Sequence, residues 1–118
     1  MSSTDSIFSY GEDHLTAGKA LALARGKLRG ALSDQTRLRV RQRQVVVQRI
    51  VSKGIPVYGV NTGFGPLCTT RISREDTELL QRNILKSHSV GVGTPVQEEI
   101  ARLMLILKVH ALARGYSG

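Results

Sequence analysis

The chain has 118 residues, 41% apolar and 4% aromatic, with 17 Lys and Arg against 9 Asp and Glu, for a net charge of +8. This length bounds at most one domain, and no apolar run approaches the ~20 residues that cross a bilayer. A single cysteine, Cys68, excludes an internal disulfide and suits a reducing compartment; residues 1–10 lack the basic start and apolar stretch of a secretory signal, so a cytoplasmic location is expected.

Four helices are predicted in chain order. The first covers residues 16–25, with Thr16 as N-cap and Gly26 as stop. The second starts at Ser33, carries Asp34 in its first turn, and ends at Lys53 before Gly54 and Pro56. Its Leu38, Val45, Val46, Ile50 and Val51 recur with a rough helical period. The third runs over residues 73–88, where Leu80, Ile84, Ser87 and His88 share one face, and Gly91 and Gly93 break it. The fourth is predicted over residues 94–114, with Thr94 as cap, Pro95 at the first helical position and Gln97 completing a capping box. Its Ile100, Leu103, Met104, Leu105, Ile106, Leu107, Val109 and Leu112 surround the helix axis. A helix apolar on all sides is buried on all sides. Three short helices cannot easily cover it, so this chain is expected to pack against more protein. No internal repeat or low-complexity segment is evident.

Between the second and third helices, residues 55–66 hold three glycines and two prolines, which predicts a shaped loop with a short extended piece over residues 56–58. Tyr58 is its titratable group, in a setting where backbone can approach a ligand closely. A phenol acts as a general base only where positive surroundings favour its anion. The bland alternative is a tyrosine packed over a turn, with Asn61 and Thr62 as turn residues.

Other chemistries find little support. Gly63-Phe64-Gly65 and Gly91-Val92-Gly93 lack the third glycine, the preceding strand and the lysine of phosphate-binding loops. His14, His88, His110 and Cys68 have no metal-ligand spacing, so no metal is expected. His88 alone could be a cation favoured by the helix C-terminus. The positive charge suggests a nucleic-acid-binding module using Arg37, Arg39, Arg41 and Arg43. Spaced by two, these arginines fall on two sides of a helix, and no RNA-binding aromatic pattern, zinc-finger spacing or basic heptad accompanies them. Neither a nucleic-acid nor a membrane partner is expected.

The string Tyr58-Gly59-Val60-Asn61-Thr62-Gly63-Phe64-Gly65 resembles the signature loop of the histidine and aromatic amino-acid ammonia-lyase family. Leu80-Gln81-Arg82-Asn83-Ile84-Leu85-Lys86-Ser87-His88, followed by Gly91-Val92-Gly93, resembles a second family block, and Leu112-Ala113-Arg114-Gly115-Tyr116-Ser117-Gly118 a third. The three occur in family order, and the resemblance covers residues 15–118. It implies a mainly α fold: the N-terminal part of a large helical-bundle lyase with an irregular glycine-rich catalytic loop. Residues 1–118 would be one incomplete N-terminal segment, inactive alone.

The resemblance implies elimination of ammonia from L-histidine to give trans-urocanate, in histidine degradation. Tyr58 matches the general base that removes the β-hydrogen, and Gly59, Asn61, Thr62, Gly63 and Gly65 match the loop that folds over the substrate and excludes water. Asn61 and the pair Ser87-His88 resemble the histidine branch, where a polar pair suits an imidazole ring. A phenylalanine or tyrosine lyase, or an aminomutase, is the alternative within the family. The implied electrophile is a methylidene-imidazolone (MIO) prosthetic group made from Ala-Ser-Gly. Residues 1–118 contain no such tripeptide, so the group is expected from outside them. A homotetramer with shared active sites and a small amino-acid substrate are implied as partners. His110, where the family usually has Asn, and Ser89-Val90 depart from the pattern.

Overall fold

A computed structural model describes residues 7–63, 65–67 and 72–116. Phe64, Cys68, Ser117 and Gly118 lie outside these described residues. Within them the chain is mostly helical, with α1 (Ala17–Ala24), α2 (Asp34–Lys53), α3 (Arg74–His88) and α4 (Glu98–Ala113). Two three-residue strands, β1 (Ile7–Ser9) and β2 (Arg29–Ala31), flank α1, and a 3-10 turn spans Gly65–Leu67.

Most helix ends follow local chemistry. Thr16 caps α1 by accepting the Lys19 N–H at 3.3 Å, and Gly26 beyond its end sits at φ 69°. Ser33 Oγ accepts the Thr36 N–H at 3.1 Å at the start of α2, and Gly54 at φ 66° follows its end. Ser73 caps α3 by accepting the Asp76 N–H at 3.0 Å.

The start of α4 departs from the sequence expectation. Thr94 and Pro95 precede the helix rather than opening it, and Gln97 is the N-cap, with no side-chain bond. Its carbonyl accepts the N–H groups of Ile100 at 3.0 Å and Ala101 at 3.1 Å. Starting at Glu98 places Glu98 and Glu99 in the first turn, where the helix dipole favours carboxylates. Glu98 then pairs with Arg102 one turn on, and Glu99 with Arg25 at 2.7 Å.

The chain divides into two compact units, Met1–Gln44 with Pro95–Gly118, and Val45–Thr94. In the first, β1 and β2 pair in parallel with Phe8 opposite Gly30, and α1 packs on α4. The core is built from Phe8, Ala20, Ala24 and Ala113. Phe8 packs against the rings of Tyr10 and His110, each with its centroid 5.5 Å away. Small residues bring the backbone close: a Cβ on Gly11, at φ 84°, would stand 2.7 Å from the Ala113 carbonyl carbon.

A polar cluster fixes the β2–α2 connection. The Glu12 carboxylate accepts hydrogen bonds from the Ser33 and Thr36 hydroxyls, and Arg39 donates to the fully buried Thr36 hydroxyl at 2.9 Å. These hydroxyls above all hold the Glu12 carboxyl below its ordinary pKa.

The apolar periodicity read for α2 and α4 is not matched by burial within the described residues. Leu38 and Val45 on α2 are exposed, and on α4 Met104 is 63% and Leu105 66% exposed.

Candidate active site

Residues 54–63 form the loop that the sequence singles out. A tight turn runs from Val57 to Val60, closed by the Val60 N–H on the Val57 carbonyl at 3.0 Å. Tyr58 is its second residue and Gly59 its third. Gly59 has φ 75°, the conformation a type II turn demands at that position and one glycine adopts without strain. This is the physical reason a glycine follows Tyr58. The turn lifts the Tyr58 side chain outward, leaving the residue 64% exposed.

Asn61, by contrast, is buried. Its Oδ1 accepts the Val57 N–H at 2.8 Å and its Nδ2 donates to the Ile55 carbonyl at 3.0 Å. Its own carbonyl accepts the Ile72 N–H at 3.1 Å. Thr62 is buried too, its hydroxyl donating to the Gly63 carbonyl at 3.0 Å, and Gly63 is buried beside it. Gly65, exposed at φ 56°, opens the 3-10 turn, and among the described residues beyond its chain neighbours none lies within 4 Å of an added Cβ.

The loop is tied to α3 by a residue that sequence reasoning did not assign to the site. Gln81 Nε2 donates to the Gly59 carbonyl at 3.3 Å, next to Tyr58. Its signal was available: Gln81 stands seven residues before His88, about two helical turns, and so on the same face.

Ser87 and His88 close the C-terminal end of α3, both exposed. His88 Nδ1 lies 3.0 Å from the Ile84 carbonyl and 3.0 Å from the Ser87 hydroxyl. In the neutral ring, the carbonyl partner places the proton on Nδ1 and leaves Nε2 as an acceptor. A groove of about 320 Å³ runs along the first half of α3, lined by Ile72, Ser73, Asp76, Leu79, Leu80 and Asn83; none of the expected site residues is among them.

Among the described residues no group of three or more His, Cys, Asp or Glu could hold a metal ion, and no helix is long and apolar enough to cross a membrane. Arg37 donates to the Leu32 carbonyl at 3.2 Å and Arg39 joins the Glu12 cluster, so two of the four alternating arginines bond within the chain. His110, the departure from the family pattern, is buried, and its Nδ1 accepts the Gly11 N–H at 3.1 Å. Burial, then the Arg114 charge, lowers its pKa.

The sequence profile described as Aromatic amino acid lyase matches residues 15–118. The chain belongs to that family. A histidine ammonia-lyase of Symbiobacterium thermophilum is 46% identical over 105 residues, which are 89% of this lyase-family chain and 21% of that protein. A histidine ammonia-lyase of Myxococcus xanthus is 42% identical over 106 residues, covering 90% and 21% of the two chains. This member of the family thus spans about a fifth of the length of the relatives it matches. A solved tyrosine aminomutase from Streptomyces globisporus superposes with a TM-score of 0.84 at 25% identity, over 93% of this chain and 21% of that one. An ergothionase from Treponema denticola has the same fold, at TM-score 0.84 and 24% identity.

Proposed function

We propose that residues 1–118 are the N-terminal segment of a cytoplasmic histidine ammonia-lyase, which eliminates ammonia from L-histidine to give trans-urocanate. The observation that carries this reading is the 46% identity to the Symbiobacterium thermophilum histidine ammonia-lyase, over a stretch that includes the Tyr58 loop and α3.

In this reading the Tyr58 phenolic oxygen takes the β-hydrogen of the substrate. Its exposed position on the turn supports that role, because a base must reach a substrate proton. Ser87 and His88 bind the imidazole, with His88 Nε2 accepting a hydrogen bond from the ring N–H. Gly59, Gly63 and Gly65, with Asn61 and Thr62, shape a loop that closes over the amino acid and keeps water out.

The methylidene-imidazolone supplies the electrophile that makes the amine a leaving group. Residues 1–118 lack the Ala-Ser-Gly from which it forms, so they do not provide it, and by themselves they are inactive. The exposed apolar residues Met104, Leu105 and Leu107 of α4 support packing against further polypeptide within a homotetramer.

Substrate profiling of the complete polypeptide tests the reading. L-histidine should be turned over with a kcat/KM at least about 100-fold above L-phenylalanine and L-tyrosine, since a pocket built to hydrogen-bond a ring nitrogen rejects rings without one. Preference for L-tyrosine, with ammonia release or with migration of the amine, would replace it with the tyrosine lyase or aminomutase reading.

A further inference from the structure

We propose that Asn61 is the positioning residue for Tyr58, holding the phenol at the place and angle from which it takes the proton. The inference rests on Tyr58 being the general base.

Asn61 is 2% exposed, whereas Tyr58, three residues earlier, is 64% exposed. One buried side chain therefore anchors a turn whose reactive residue faces outward. The carboxamide uses both ends: Oδ1 on the Val57 N–H at 2.8 Å and Nδ2 on the Ile55 carbonyl at 3.0 Å. The side chain bonds the Pro56–Val57 peptide at Val57, the residue before Tyr58, so it holds the chain one peptide ahead of the peptide that carries the tyrosine Cα. The main chain of Asn61 adds two holds, its N–H on the Val57 carbonyl at 3.3 Å and its carbonyl on the Ile72 N–H at 3.1 Å.

An amide is the side chain that fits this bracket, because it presents a donor and an acceptor at one branch point. Aspartate keeps the acceptor for Val57 but sets a carboxylate against the Ile55 carbonyl. Alanine leaves both backbone groups without a side-chain partner. Either change lets the Val57–Val60 turn relax, and a displacement of about 1 Å at a reacting group costs on the order of 100-fold in rate.

The test is a double-mutant cycle in the complete polypeptide, with steady-state kinetics on L-histidine. Asn61→Ala is expected to lower kcat by about 10- to 100-fold with KM changed less than about threefold. In a Tyr58→Phe background the same substitution should lower the residual rate by less than about twofold, because the group it positions is already gone. Equal losses in both backgrounds, or no loss in the parent, would overturn the inference. If Asn61→Ala does not fold, Asn61→Asp serves in its place, with a smaller loss and the same non-additivity expected; additive losses again overturn it. Tyr58→Phe by itself reads the underlying assignment separately. Full activity there removes both roles, whereas a lost rate with additive Asn61 effects removes only the positioning role.

Discussion

The Val57 N–H bonds to the Asn61 side chain at 2.8 Å, closing a ring of backbone that has Tyr58 on its rim. Asn61 is buried on one side of this ring, and Tyr58 is 64% exposed on its rim. Gln81, reaching from α3 to the Gly59 carbonyl, fixes the same ring to the helix that ends in Ser87 and His88.

The pair at the end of α3 gives the first prediction. If His88 holds the substrate ring as proposed, His88→Leu in the complete polypeptide should lower kcat/KM for L-histidine at least about tenfold and raise turnover of L-phenylalanine, because an apolar surface would replace a ring-nitrogen partner. Competition assays with both amino acids check this. An unchanged preference would remove His88 from the selectivity argument.

A second prediction concerns pH. His110 accepts the Gly11 N–H on Nδ1, so the fold holds the ring neutral, and burial keeps its pKa below the ordinary 6.5. The unfolded chain thus binds this proton more readily. The stabilisation is complete above about pH 6.5 and is lost as pH falls through the lower folded value. Glu12 and Glu99, held below their ordinary 4.5, act in a more acidic window. Thermal unfolding of the complete polypeptide should therefore show a midpoint that falls as pH drops below about 6.5. In His110→Asn, whose carbonyl can accept the same N–H without titrating, that part of the fall should disappear.

Close packing gives a third. Gly11 combines φ 84° with backbone of Ala113 at 2.7 Å from any added Cβ. Gly11→Ala should destabilise the complete polypeptide by about 2 kcal/mol or more, through a strained dihedral and a clash that rigid backbone cannot relieve. Denaturant unfolding measures it. Gly18→Ala, whose new Cβ has nothing within 4 Å among the described residues outside its own helix turn, is the matched control and should not destabilise.

What was legible in the sequence follows from how local each feature is. Thr16, Ser73 and Gly26 set helix ends through bonds or dihedrals within a few residues, so α1 and α3 read directly. The strands did not: Ile7–Ser9 and Arg29–Ala31 are too short to show a period, and each is a strand only because the other lies beside it. The opening of α4 was misread for a related reason. Thr94, Pro95 and Gln97 satisfy a local capping pattern, but the pairing of Glu99 with Arg25, 74 residues away, accompanies the later start. In the site, the motif pointed to Tyr58 and its glycines. It did not reveal that both ends of the Asn61 carboxamide bond the loop's own backbone, a contact made by folding, whereas the seven-residue spacing of Gln81 from His88 did place Gln81 on the face of α3 that carries His88.

The role of Tyr58 is read most directly from the rate of urocanate formation from L-histidine by the complete polypeptide when Tyr58 is changed to Phe, a substitution that removes one oxygen and keeps the ring. The expected result is a loss of at least about 100-fold with the circular dichroism spectrum unchanged. A Tyr58→Phe enzyme that forms urocanate at the parent rate would contradict it.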